Sequence, residues 1–500
     1  MKPHLMFKER DFRIDAQISE QNQKLIKDLE LEVLFNALSS GDEFLYGVVR
    51  QACLSNLTTV EEIRYRQHIL TDAINYPNVI KQMYRLTVEC IEMEKKTLSF
   101  NLFSNYPSSV LHSAVNVLKF FFKNLVLLRE MAERYTSEFE SEGFLRFFSM
   151  LSQELSDEYL AEVSHQLRLL RFNQGVLISA RLGPGNVGQD YILRSYPADQ
   201  RNWLRRLLAP KAPAFTVKIA PRDENGAQAL SDLENRGMVL VANALSQSTS
   251  HIRNFFTALR TELGFYVSCL NLYDALSNAH IPLQLPALRP AGERFLSYSN
   301  LYDVCLAIRL AARTVPNSLP DARKNTFIIT GANQGGKSTF LRSIGGAYIM
   351  AQCGMFVCAD QFCTDLVSRI YTHYRHEEDT TMASGKLDEE LDRMNIIVDQ
   401  LKANDLILFN ESFAATNSRE GSAIARDLTL ALSARRIKIF FVTHLSEFAC
   451  RLYQESTPDM MFLSAERGDD GKRTYRITEG EPFDSSYGED LYNAIFINEH

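Results

Sequence analysis

Apolar residues recur along residues 15–170 with helical spacing, and glycine is scarce there. Leu25, Leu29 and Val33 follow one another at four-residue intervals, and the segment from Val110 to Tyr135 keeps an apolar stripe. Such spacing puts the apolar side chains on one helix face. The length of these patterns predicts a helical bundle or lever; an ordinary helical core with no moving role gives the same spacing. The texture changes at Gln174. Val176-Leu177-Ile178-Ser179 and Phe215-Thr216-Val217-Lys218-Ile219 predict strands, and Gly183-Pro184-Gly185-Asn186-Val187-Gly188 predicts a turn-rich loop. Helical spacing returns from about Ala227 to Ser277. A small β-containing module at about 174–225 is therefore expected between two helical arms. Pro282, Pro286 and Pro290 read as a linker. From there the period alternates between short β-branched runs, such as Thr326–Thr330, and helical stretches, such as Thr339–Ile344, which predicts an α/β domain. The expected division is 1–285 and 286–500.

The strand ends of that domain carry the chemistry. Residues 331–339 read Gly-Ala-Asn-Gln-Gly-Gly-Lys-Ser-Thr, a GxxxxGK[ST] phosphate-binding loop between a predicted strand and a predicted helix. Gly331, Gly335 and Gly336 permit the tight turn that points backbone N–H groups at phosphate oxygens. Lys337 supplies a compact positive charge for the outer phosphates, and the Ser338 hydroxyl suits magnesium. Strand, glycine loop and helix N-terminus in succession form an anion site.

Leu406-Ile407-Leu408-Phe409-Asn410-Glu411 is an apolar strand ending in a polar pair. P-loop ATPases usually have Asp-Glu here, the Asp holding magnesium through water and the Glu polarising the attacking water. Asn410 keeps the acceptor and loses the charge; Glu411 remains the general-base candidate. Ile437–Val442 is a further buried strand, followed by Thr443-His444. A lone histidine is more often structural, but His444 is the third element in register and reads as a γ-phosphate sensor.

The chain has 500 residues, 45% apolar and 23% charged, with net charge −7, ordinary globular values. A polyanion site must therefore be local. Residues 194–222 hold Arg194, Arg201, Arg205, Arg206, Lys211, Lys218 and Arg222 against Asp199, with Trp203, the sole tryptophan, among them. Such a cluster predicts salt-sensitive, sequence-independent DNA contact; a solvated charged face is the alternative. The start, Met1–Lys8, lacks an apolar signal core, and no stretch approaches about 18 apolar residues, so a soluble cytoplasmic protein without membrane contact is expected. Cys353, Cys358 and Cys363 lack zinc spacing, so reduced, buried thiols are expected.

Taken together, Ile328–Arg342, with its Asn333-Gln334-Gly335-Gly336-Lys337-Ser338-Thr339 core, Ala383-Ser384-Gly385, Glu411–Gly421, Thr443-His444, Thr474–Ile477 and Ser486-Tyr487-Gly488 resemble the MutS family of DNA mismatch-repair ATPases. Leu57–Gln67 is similar to the start of that family's lever region. The resemblance implies a helical lever/core with a clamp insertion, then an ABC-type P-loop ATPase domain. It implies ATP and Mg2+ as cofactors and a homodimer joined through the ATPase domains, in which Ser384 of one subunit reaches the other's nucleotide. Asn333 and Thr339 join the nucleotide-contacting set. It also implies that ATP drives lever and clamp motion on DNA in repair. Departures are equally specific. The mismatch-reading and connector domains have no counterpart, so branched, distorted or unspecific duplex DNA is the expected target. Asn410 replaces an Asp, Thr314 stands where the adenine-stacking aromatic belongs, and Phe413-Ala414-Ala415 replaces Gly-Arg-Gly. Asn410 keeps a second reading open: a nucleotide-gated scaffold with slow or no hydrolysis and a protein partner. A transporter or kinase is disfavoured by the lack of a Leu-Ser-Gly-Gly-Gln signature and of an acceptor pocket.

Overall fold

Alternating stretches of helical and β-branched sequence become helices and strands wherever an apolar face can be covered. The computed structural model describes residues 1–482 apart from 15–16, 56, 102–106, 171, 173–174, 195–215, 217, 221, 376–385, 456–457 and 468–472. Two compact units emerge. The first comprises Met1–Pro3, Lys81–Phe139 and Phe144–Arg260; the second comprises His4–Ile80, Glu140–Gly143 and the chain from Thr261 onward.

The first unit is helical around one hairpin. Its helices include Pro107–Tyr135, Glu142–Glu154, Asp157–Leu169 and most of Glu224–Asn278. The Asp157 helix begins where the Ser156 side chain accepts the Tyr159 N–H, with Asp157 and Glu158 in its positive first turn. The core is aromatic: Phe121 and Phe256 lie 5.3 Å apart, and Phe139 meets Phe144 edge-on at 4.8 Å. Strands β1 (Leu177–Leu182) and β2 (Gly188–Arg194) pair antiparallel, with a bulge between Ser179 and Arg181. The hairpin lies against the long helix at Gly237, where any Cβ would fall 2.6 Å from the Ile178 side chain. The hairpin falls within the expected module of about 174–225, of which residues 195–215 lie outside the described residues. The other predicted strand is not seen: Thr216, Lys218 and Ile219 are in none, and Phe215 and Val217 are outside the described residues. Among the described residues one helical stretch, Ser108–Tyr135, is long and apolar enough by length and composition to cross a membrane, contrary to the expectation that none is. Of that stretch's most apolar window, 44% is buried within the protein, as in the core helix of a globular unit.

The second unit holds two sheets. The larger runs β12-β11-β6-β10-β9-β8, comprising Arg473–Glu479, Met460–Arg467, Thr326–Thr330, Lys438–Val442, Leu406–Asn410 and Ile370–Tyr374. Its strands are parallel except β12, and the central strands β6, β10 and β9 are buried, with apolar residues filling their interiors. Phe327 stacks on Phe440 at 4.5 Å, and Phe409 on Phe441 at 4.6 Å. The second sheet runs β3-β7-β4-β5, comprising Ala287–Arg289, Gln361–Asp365, Leu296–Leu301 and Asn317–Ala322. The proline-rich text is thus not a plain linker, because Ala287–Arg289 pairs in parallel with Cys363–Asp365. Buried Lys438 on β10 bonds Asp365 on β7 and so ties one sheet to the other. The Leu25-Leu29-Val33 stripe is also divided. One helix ends at Asp28 and the next starts at Leu31, across Glu30 at φ 55°. That reversal makes Leu31, Leu34, Phe35 and Leu38 the buried set. No cysteine is in a disulfide among the described residues, and six of the eight are buried.

The segment after His4 is strapped down by distant side chains. Glu262 accepts the Leu5 and Met6 N–H groups, Arg66 donates to Met6 and Cys353 carbonyls, and Tyr65 donates to the His4 carbonyl. Burial pushes the Glu262 carboxyl up to about 7. A carboxyl whose pKa is raised by folding contributes stability that is present below its unfolded value and lost as pH rises through about 7. Glu262→Gln, which keeps an acceptor oxygen without the charge, is expected to unfold like the parent at about pH 4, below the unfolded carboxyl's range. At pH 8 it should be more stable by about 1–3 kcal/mol. Denaturant titrations at the two pH values check this; equal gains at both would refute the linkage.

Candidate nucleotide site

The parallel register brings three strand ends together. Val442 of β10 pairs with Ile329 of β6 and with Asn410 of β9, so the segments that follow these strands emerge side by side. Ligands of open parallel sheets bind at such carboxyl ends. A cavity of about 370 Å³ lies there, lined by Gln334–Phe340, Glu411, Asp303, Thr314, Asn317 and Tyr475 among others.

The glycine loop leaves β6 and enters the helix Lys337–Gln352. Gly331 has φ 123°, and a Cβ there would fall 2.9 Å from the backbone nitrogen of Ala465 on β11. Lys337 is only 4% exposed, and its Nζ donates to the Gly331 and Ala332 carbonyls at 2.9 and 2.8 Å. Burial pulls its pKa down to about 8, and the nearby Glu411 charge opposes that. Ser338 Oγ donates to Asn410 Oδ1 at 3.0 Å. Gly335, Gly336 and Thr339 line the cavity, whereas Asn333 is exposed and does not. Arg473 on β12 donates to Gln334 Oε1 of the loop at 2.8 Å.

Glu411 and His444 stand together. His444 Nε2 donates to Glu411 Oε1 at 2.7 Å, since a carboxylate only accepts. This bond is the main cause holding the Glu411 carboxyl below its usual range, against the opposing effect of burial. Glu411 has φ 56° and Phe413 φ 60°, so the chain turns sharply on both sides of fully buried Ser412. That turn is pinned from outside the loop. Ser412 Oγ donates to the His373 carbonyl at 2.7 Å, and Phe413 N–H donates to Glu390 Oε2 at 2.9 Å.

Tyr475 completes the wall. Its Cβ would lie 3.5 Å from a Cβ on Gly336, and Thr314 lines the same cavity. The sequence showed Tyr475 only as part of a terminal strand; its place beside the phosphate loop comes from β12 folding back on β11. Asp303, capping the helix Val304–Leu310 and contacting Arg342 Nε at 3.4 Å, was likewise unmarked. Asp-x-x-Leu ahead of an apolar run was the one available cue.

Two family descriptions match the chain: the MutS2 N-terminal domain over residues 58–279, and MutS domain V over residues 327–499. The chain belongs to the MutS family. Among its MutS-family relatives, the DNA mismatch repair protein MutS of Thermotoga neapolitana is 31% identical over 180 residues, 35% of this chain and 22% of that protein. Endonuclease MutS2 of Carboxydothermus hydrogenoformans is 28% identical over 227 residues, 44% of this chain and 28% of its own length. Endonuclease MutS2 of Thermus thermophilus is 29% identical over 183 residues, 36% of this chain and 24% of that protein. The chain thus spans less than a third of each MutS relative. The first match shows that the likeness extends well upstream of the phosphate loop, into the helical region where the residues alone offered Leu57–Gln67.

Of the basic cluster, Arg194 ends β2 with its Nε donating to Ser179 Oγ at 2.9 Å, and Lys218 is exposed. Arg201, Arg205, Arg206 and Lys211 lie outside the described residues, as do Ser384 and Ser486-Tyr487-Gly488.

Proposed function

We propose that this chain is an ATP-driven DNA-binding protein of MutS type, with residues 286–500 as an ABC-type P-loop ATPase domain and residues 1–285 as the helical lever and clamp. The observation that carries this reading is the convergence of Lys337, Ser338 and the Glu411–His444 pair on one cavity at the carboxyl ends of β6, β9 and β10. The donors fit a nucleoside triphosphate: a glycine-rich turn with N–H groups, a buried ammonium, and a cavity of nucleotide scale. Magnesium fits through oxygen donors, Ser338 directly and Asn410 through water, and when bound would neutralise charge on the phosphates.

Lys337 exchanges its loop carbonyls for phosphate oxygens. Gly335, Gly336 and Thr339 hold the phosphates by backbone N–H, and exposed Asn333 reaches the nucleotide from the outer side of the loop. Glu411 orients a water and takes its proton as the oxygen attacks the terminal phosphorus; the bond to the bridging oxygen breaks, and inorganic phosphate and the nucleoside diphosphate are released. His444 leaves Glu411 to sense that phosphate. Two ATPase domains close as a homodimer, Ser384 of each completing the other's site, and closure moves the clamp on DNA. Arg194, Arg201, Arg205, Arg206, Lys211 and Lys218 supply sequence-independent phosphate contacts. Gel shifts on linear, mismatched and branched duplexes across salt test the clamp. Arg205→Glu with Arg206→Glu is expected to weaken binding by roughly tenfold or more at low salt. Binding untouched by that change, or absent from the parent, would remove DNA from the reading.

The neutral Ser338–Asn410 pair favours one alternative, a nucleotide-gated scaffold with slow hydrolysis and a protein partner. Steady-state ATP turnover decides between them: turnover no faster than that of Lys337→Ala favours the scaffold.

A further inference from the structure

The charge balance around Ser338 is unlike that of a site built to need a divalent cation. A carboxylate at position 410, in contact with Ser338 of the phosphate loop, would place a full negative charge near the outer phosphates, and a cation between them relieves that repulsion. Here the position is an amide whose Oδ1 is taken by the Ser338 hydroxyl at 3.0 Å. The donors it can still offer are N–H groups, which attract phosphate oxygen. The acidic residues lining the cavity are Asp303 and Glu411 among the described residues. Each already has a basic partner within the protein: Arg342 Nε lies 3.4 Å from Asp303, and His444 Nε2 lies 2.7 Å from Glu411. Lys337, buried beside Ser338, is a cation without a carboxylate bonded to it; its Nζ donates to two backbone carbonyls.

We propose that this site holds a nucleoside triphosphate with little dependence on a divalent cation, Asn410 being the residue that sets this property. The inference rests on the nucleotide-binding reading above and adds a regulatory consequence. Withdrawal of the cation leaves the nucleotide bound, so occupancy is uncoupled from magnesium and hydrolysis alone depends on it. Asn410 acts in two ways, by omitting a charge and by presenting an amide donor, and two substitutions separate them. Asn410→Asp restores the charge. Asn410→Ala removes the donor without adding charge.

The measurement is ATP binding to the full chain by titration calorimetry, once with excess magnesium and once with excess EDTA. For the parent chain the dissociation constant is expected to change by less than about fivefold between the two conditions. For Asn410→Asp it should weaken by about tenfold or more in EDTA and recover with magnesium. Asn410→Ala should keep the parent's small ratio, with an affinity lower by a few-fold in both conditions, about the loss of one hydrogen bond. A parent chain that loses about fiftyfold or more in EDTA overturns the proposal, whatever the variants do. So does an Asn410→Asp protein whose ratio matches the parent's. An Asn410→Asp chain that does not fold leaves the parent ratio and Asn410→Ala to decide. Should the parent bind no ATP in either condition, the nucleotide-binding reading falls and takes this inference with it. ATP bound with a strong, Asn410-independent magnesium requirement would overturn this inference alone.

Discussion

Lys337→Ala is expected to weaken ATP binding by roughly a hundredfold or more, the loss of about 3 kcal/mol that accompanies removal of one buried, charged hydrogen-bonding partner. The size follows from where the ammonium sits. It is 4% exposed, and burial has pulled its pKa down to about 8. A cation kept there, bonded to the Gly331 and Ala332 carbonyls, is poised to trade two neutral acceptors for phosphate oxygens. The fold should tolerate the change, since alanine is a good helix former and Lys337 opens the helix that runs to Gln352. Calorimetric titration with ATP, beside a thermal unfolding scan, checks both halves. An affinity within threefold of the parent's would show that the loop does not grip phosphate through Lys337.

Glu411→Gln should separate binding from chemistry. The amide keeps an oxygen to accept the His444 Nε2–H, so the wall of the cavity and the turn through Ser412 are preserved. What disappears is the group that takes a proton from water, and its loss is expected to lower the hydrolytic rate by roughly 10²–10⁴-fold. ATP affinity should stay within a few-fold of the parent's. A single-turnover experiment with prebound nucleotide reads the chemical step without product release. A rate within tenfold of the parent would dismiss Glu411 as the base and turn attention to His444. The opposite failure, lost affinity with little loss of rate, would mean that Glu411 shapes the pocket rather than acting on water.

Much of the second unit was legible from its sequence. The strands Thr326–Thr330, Leu406–Asn410 and Lys438–Val442 all fall within the apolar runs that predicted them, because strands covered on both faces need continuous apolar side chains. The helix Pro107–Tyr135 contains the predicted Val110–Tyr135 stripe. The misreadings also have physical causes. Leu25, Leu29 and Val33 fit one helical face by spacing, yet a single residue in the left-handed region, Glu30, starts a new helix and changes which side chains are buried. The prolines at 282, 286 and 290 suggested a linker, but a strand as short as Ala287–Arg289 needs only one partner edge, which β7 provides.

The motif of the proposed phosphate loop was legible in the sequence alone, because consecutive residues supply the glycine turn, the lysine and the hydroxyl, and no distant contact is needed to define them. The same holds for Asn410, whose missing charge is a property of the residue type. Only the tertiary structure decided what those groups meet. It bonded Ser338 to Asn410, paired Glu411 with His444 and set Tyr475 beside Gly336. It also strapped the Leu5 and Met6 backbone to Glu262 and Arg66. These partners are tens to hundreds of residues apart, and each meeting depends on strand register and chain reversal, which spacing along one chain does not encode.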